Sequence, residues 1–229
     1  MGIYENYCEI RDKADKAARA AGRDPESVKI IAVSKTFPVS DINEAIRHGI
    51  TLFGENRVQE AKEKIPMLEK PADFHLIGHL QSNKAKEAVK LFSLIHSLDK
   101  AETAGRIDRE AAAIEKVQEV LIQVNTSGES TKSGVDPAGV FDLFEHISGL
   151  QNIRPSGLMT IGPMTDDKTS IRKSFADLAL LLRQVNGRFG LSMTELSMGM
   201  SGDFELAIAE GATLVRVGSA IFGKRSYQA

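Results

Sequence analysis

The chain has 229 residues, a formal net charge of −2, 42% hydrophobic and 26% charged residues. This composition fits a soluble globular protein, the length suits one α/β barrel, and the near-neutral charge gives no electrostatic reason to expect nucleic acid or an anionic membrane as partner. A single cysteine, Cys8, excludes an intrachain disulfide and points to a reducing compartment. No apolar run is long enough to span a bilayer. The polar N-terminus argues against a secretory signal, and Asn6 breaks the myristoylation pattern that Met1-Gly2 begins. The cytoplasm is the expected location.

In chain order, residues 3–21 read as an amphipathic, alanine-rich helix ending at Gly22. Strand and helix then alternate without interruption. The first strand is Ile30-Ile31-Ala32-Val33, followed by a helix over 40–48 with Ser40 as cap and Gly49 as stop. A short strand over 51–53 leads into Gly54-Glu55-Asn56, which is expected to open a helix. Residues 74–78 form a third strand, with Ser82 capping the helix after it, and 94–97 a fourth, with Asp99 and Glu102 as a capping pair. A fifth strand covers 120–124, and Asp136-Pro137 starts the next helix with proline at its first position. Strands over 156–160, 195–198 and 214–217 alternate with helices over 169–188 and 204–210. Eight strands in strict alternation predict a single (β/α)₈ barrel domain over residues 1–229, with an extra N-terminal helix. A doubly wound open sheet is the alternative. The absence of GxGxxG after the first strand counts against its dinucleotide-binding form.

In such a barrel, reactive groups come from the C-terminal ends of the strands. Side chains alternate along a strand, so Lys35 shares a face with Ile31 and Val33 while Ile30, Ala32 and Ser34 take the other. A lysine on an apolar face is costly unless it has a task. The plain alternative is the first solvated residue after the strand. The chemical one is an amine of lowered pKa, poised to form a Schiff base. Barrel closure makes strands one and eight neighbours and places Arg216 on the same inner surface, with Leu214 and Gly218. Two cations there depress the lysine or demand an anion between them. The plain alternative for Arg216 is an ion pair with a glutamate. Ser201-Gly202 and Gly218-Ser219, after strands seven and eight, lie where barrels often seat phosphate, and both are expected to open helices. Each pair alone could be an ordinary cap. A Schiff-base lysine, a phosphate seat and an inward arginine together suit pyridoxal phosphate, with the arginine facing the ring nitrogen. His75 and His79 have no partner at metal spacing, so no metal is expected. His75 reads as a satisfied core histidine, His79 as a possible cofactor contact, and Lys132 as a solvated loop lysine.

Five stretches carry a resemblance along essentially the whole chain. They are Ala32-Val33-Ser34-Lys35-Thr36, Phe53-Gly54-Glu55-Asn56, the run from His75 to Lys84, the run from Leu196 to Asp203, and the run from Val215 to Gly223. Together they resemble the YggS/PROSC family of pyridoxal phosphate homeostasis proteins. The resemblance implies a fold-type III barrel of the alanine-racemase type, with pyridoxal 5′-phosphate on Lys35 and a site lined by Asn56, Ser201, Gly202, Arg216, Gly218 and Ser219. The family often has threonine where this chain has Ser219, and the hydroxyl is kept. It implies a monomer that holds the cofactor and delivers it to apo forms of enzymes that use it. Two other readings are an amino-acid racemase and a cofactor-free lysine aldolase. A racemase needs a second base, supplied in the racemases by a tyrosine of an additional C-terminal domain. Here the chain ends soon after strand eight, and its tyrosines are Tyr4, Tyr7 and Tyr227. No metal, nucleic acid or membrane partner is expected.

Overall fold

A computed structural model describes residues 2–129 and 133–223. Eight parallel strands close into a barrel in sequence order: β1 (Lys29–Val33), β2 (Leu52–Glu55), β3 (Asp73–Leu76), β4 (Leu94–Leu98), β5 (Gln118–Gln123), β6 (Ile153–Met159), β7 (Glu195–Met200) and β8 (Leu214–Val217). The ring closes through β1 on β8, where Ile31 lies opposite Arg216. Around it stand α1 (Ile3–Ala20), α2 (Val39–Arg47), α3 (Val58–Lys64), α4 (Ala85–Leu91), α5 (Ala101–Ala112), α6 (Val140–Ile147), α7 (Lys168–Phe189), α8 (Phe204–Ala209) and α9 (Ser219–Phe222). The last two helices are short. α1 packs against both and against α2, covering the seam they leave, and Asn6 Nδ2 donates to Ile221 O at 2.9 Å to fix it there.

Alternation along the strands sorts the apolar residues into two layers. Ile30, Ala32, Phe53, Phe74, Leu76, Val215 and Val217 belong to the large layer between sheet and helices. Ile31, Val33, Leu94, Leu121, Met159 and Leu214 form a small core inside the barrel. The faces predicted for strands one and eight are therefore the observed ones.

Several local expectations are corrected. Ser40 lies inside α2, which begins at Val39, and its hydroxyl turns to Asp41 Oδ1 at 3.1 Å. Gly54 and Glu55 complete β2 rather than opening a helix, and α3 begins at Val58. Ser82 starts a 3₁₀ turn ahead of α4, and no side chain caps α5, which follows Lys100. Asp136-Pro137 leads into a 3₁₀ turn before α6. Asp167 caps α7 by accepting from Thr169 N and Ser170 N.

Candidate cofactor site

The loops after the strands enclose a cavity of about 460 Å³, within the range of about 300–1,000 Å³ usual for small-molecule sites. All seven predicted positions line it: Lys35, Asn56, Ser201, Gly202, Arg216, Gly218 and Ser219, with His79 beside them. Asn125, two residues past β5, is engaged within its own loop: its Nδ2 donates to Glu129 O at 2.9 Å and its Oδ1 accepts from Ser127 Oγ at 3.0 Å. Tyr4 and Tyr7 sit on α1. Lys132 and Tyr227 lie outside the described residues.

Lys35 is half-buried, two residues past the end of β1. The residues on either side of it are held by a buried cluster of charges behind the sheet, which the sequence did not reveal. Ser34 Oγ donates to Glu55 Oε1 at 2.7 Å, and Ser34 O accepts from Lys64 Nζ at 2.9 Å. Thr36 N donates to Glu60 Oε1 at 2.5 Å. Lys64 Nζ also donates to Glu55 Oε1 at 3.1 Å and to Glu60 Oε1 at 2.6 Å. Thr36 has φ of 68°, a left-handed conformation that is strained for a β-branched residue. Glu55 is fully buried. Burial pushes its carboxyl pKa up, while Lys64 and the Ser34 hydroxyl pull it down.

Arg216 is buried and enters the cavity from the middle of β8. Among the described residues it makes no ion pair with a glutamate. Nη1 donates to Ser197 Oγ at 2.6 Å and Nη2 to Thr160 O at 2.8 Å. Burial lowers its pKa to about 10, opposed by the Asp203 carboxylate, so the guanidinium stays charged at neutral pH. Ser197 passes the contact inward, with Oγ 2.9 Å from His96 Nδ1, and His96 Nε2 lies 3.0 Å from His75 Nδ1. His75 is thus a satisfied core histidine. Among the described residues no group of three histidine, cysteine or carboxylate side chains could hold a metal ion.

Gly218 caps α9, as expected, whereas Ser201-Gly202 form a turn before α8, whose cap is Asp203. Among the described residues, no hydrogen bond takes up the backbone N–H of Ser201, Gly202 or Ser219. A Cβ at Gly202 would project into open space, while one at Gly218 would meet Val33 Cβ and O at 3.3 Å. At Gly78 a Cβ would fall 2.2 Å from Asn56 O, so only glycine lets the loop after β3 pass the one that carries Asn56. Backbone donors without partners, glycines that leave room for a ligand, an arginine and a lysine in one cavity fit a phosphorylated aldehyde with a basic ring.

These features place the chain among barrels of the alanine-racemase class, and the family model for the alanine racemase N-terminal domain matches residues 6–226. Alanine racemase of Clostridium difficile 630 shares the fold at a TM-score of 0.75 and 16% identity, over all of this chain and 57% of its own. The pyridoxal phosphate homeostasis proteins of Aquifex aeolicus and Pseudomonas aeruginosa are 40% and 42% identical over 228 residues, covering 99% of this chain and 100% and 97% of theirs. PipY of Synechococcus elongatus, solved with PLP bound, superposes at a TM-score of 0.86 with 38% identity, over 96% of this chain and 100% of its own. The chain belongs to the family of pyridoxal phosphate homeostasis proteins. No described helix is long and apolar enough to cross a membrane.

Proposed function

We propose that this protein binds pyridoxal 5′-phosphate covalently through Lys35, holds it, and passes it to apoenzymes in the cytoplasm, acting as a monomer. When bound, the cofactor supplies an aldehyde carbon, a phosphate dianion and a basic ring nitrogen. The Lys35 amine takes the aldehyde. The N–H groups of Ser201, Gly202 and Ser219, with Gly218 giving close backbone approach, take the phosphate. Arg216 faces the ring nitrogen and keeps a proton off it, because a cation there disfavours a second positive charge. Asn56 and His79 bound the side facing the loops after β2 and β3.

The observation that carries this reading is the convergence of Lys35, Arg216 and the open backbone donors on one cavity. Binding without racemisation is favoured by what else lines that cavity. Besides Lys35, His79 is the one described lining residue with a side chain of the kind that serves as a catalytic base, and no described tyrosine is there. An unprotonated ring is also a weak electron sink. The test is an absorption spectrum of the purified protein before and after borohydride, with peptide mapping of the reduced adduct. In parallel, the loaded protein is incubated with L-alanine and with an apoenzyme that needs the cofactor. An adduct on Lys35, apoenzyme activation and no chirality change are expected. Racemisation at about one turnover per second or faster that depends on Lys35 would overturn the carrier reading.

A further inference from the structure

A row of polar side chains crosses the interior of the barrel from the cofactor cavity to the opposite rim. Arg216, Ser197, His96 and His75 come from the middles of β8, β7, β4 and β3, and all four are buried. Beyond His75, whose Nε2 lies 3.7 Å from Asp73 Oδ2, the row ends at the exposed start of β3.

The protons in this row have one arrangement that satisfies every contact along it. A guanidinium only donates, so Arg216 Nη1 gives its hydrogen to Ser197 Oγ. The serine hydroxyl must then spend its own hydrogen on its other partner, His96 Nδ1. That makes Nε2 the protonated nitrogen of His96, which donates to His75 Nδ1. His75 in turn carries its hydrogen on Nε2, the atom facing the Asp73 carboxylate. Reversing any link leaves the buried serine hydroxyl without an acceptor, at about 1–3 kcal/mol. Burial, with His75 and Arg216 nearby, holds the His96 pKa well below its ordinary value, so the ring stays neutral as the chain requires.

We propose that His96 is a positioning residue for Arg216: with His75 behind it, it fixes the direction of the Ser197 hydroxyl, and so the orientation in which the guanidinium meets the cofactor's ring nitrogen. This rests on the reading of Arg216 as the ring-nitrogen partner. The second anchor, Thr160 O on Nη2, holds the far side of the guanidinium. Two contacts made by different nitrogens fix the plane of the group, whereas one leaves it free to turn. An apolar core would pack as well but would leave the Ser197 hydroxyl free to rotate, so that its lone pairs are no longer held toward Arg216 Nη1.

The test compares binding of pyridoxal phosphate with that of its 1-deaza analogue, in which C–H replaces the ring nitrogen. Ligands are titrated by fluorescence or absorbance against wild type, His96→Leu, His96→Gln and Ser197→Ala. A hydrogen bond with a charged partner contributes roughly tenfold or more in affinity, so the wild type is expected to prefer the natural ligand by about that factor. His96→Leu and Ser197→Ala should bring the preference below about threefold, by loss of most of that one bond. His96→Gln, whose amide can accept from Ser197 and donate to His75, should keep it. Ser197→Ala removes few atoms and guards against a His96→Leu variant that fails to fold. If His96→Leu and Ser197→Ala weaken both ligands equally and leave the preference intact, the row is only structural and the proposal fails. If the wild type itself shows no preference, the ring-nitrogen reading of Arg216 falls, and the proposal with it.

Discussion

Replacing Lys64 with methionine tests the buried charge cluster behind Lys35. Met keeps most of the aliphatic volume but removes the ammonium that donates to Glu55, Glu60 and Ser34 O. Glu55 is left fully buried, with Oε2 already lacking a partner and only the Ser34 hydroxyl still on Oε1. Removing one partner of a buried pair costs about 3–5 kcal/mol, a large share of a domain's stability. The pH dependence separates this cause from simple packing loss. Burial raises the folded-state pKa of Glu55 while Lys64 lowers it, so the substitution raises that pKa further. A carboxyl whose folded pKa exceeds its unfolded value binds protons more tightly when folded. Its contribution to stability therefore falls as pH climbs through that window and returns on acidification. Urea unfolding of wild type and Lys64→Met should show a gap of about 3–5 kcal/mol at pH 7 that narrows toward pH 5. A gap below about 1 kcal/mol at pH 7, or one that does not change with pH, would refute the reasoning. The same variant should load the cofactor more slowly, since Ser34 O loses its donor and Glu60, which accepts from Thr36 N, loses its ammonium partner.

Lys35→Ala should abolish the visible absorption of the lysine-linked cofactor and the borohydride adduct, leaving at most weak non-covalent binding by equilibrium dialysis. Arg216→Glu should let the ring nitrogen take up a proton, read as a shifted absorption spectrum of the loaded protein; an unchanged spectrum would place Arg216 away from the ring. Gly218→Val adds a branched side chain where a Cβ already lies 3.3 Å from Val33. It should weaken pyridoxal phosphate at least about tenfold more than unphosphorylated pyridoxal, the loss of about one charge-assisted hydrogen bond. Equal losses for both ligands would remove Gly218 from the phosphate seat.

The barrel was legible because its signal is local. Four apolar residues ending in Ser34-Lys35 declare a strand buried on both faces, and period-two alternation alone assigns Ile31 and Val33 inward and Ile30 and Ala32 outward. The same alternation puts Arg216 inside. Helix starts were less legible because several side chains can cap, and the local competition is decided by contacts one or two residues away, as when Ser40 turns to Asp41. Glu55 was misread as opening a helix for a different reason. A glutamate is a poor choice for a buried strand end unless a cation reaches it, and that cation, Lys64, arrives from the far end of α3. His96 and Ser197 were invisible as partners because their pairing spans 101 residues and depends on four strands being in register.

The two groups that define the cavity are held by opposite means. Lys35 is set from outside the sheet by charges, in a cluster shielded from the cavity by the strands themselves. Arg216 is set from inside by a hydroxyl and a carbonyl, with two imidazoles behind the hydroxyl. Neither arrangement places a carboxylate among the described residues that line the cavity. A carboxylate there would neutralise the field that draws in a phosphate dianion, or would pair with Arg216 and withdraw it from the ring nitrogen proposed as its partner. Keeping the lining cationic leaves the anion as the partner that completes the site. It also leaves few groups able to take a proton from a bound substrate. In the proposed carrier, the distribution of charge that favours capture of the cofactor works against turnover, through the choice of what lies one layer behind the cavity wall.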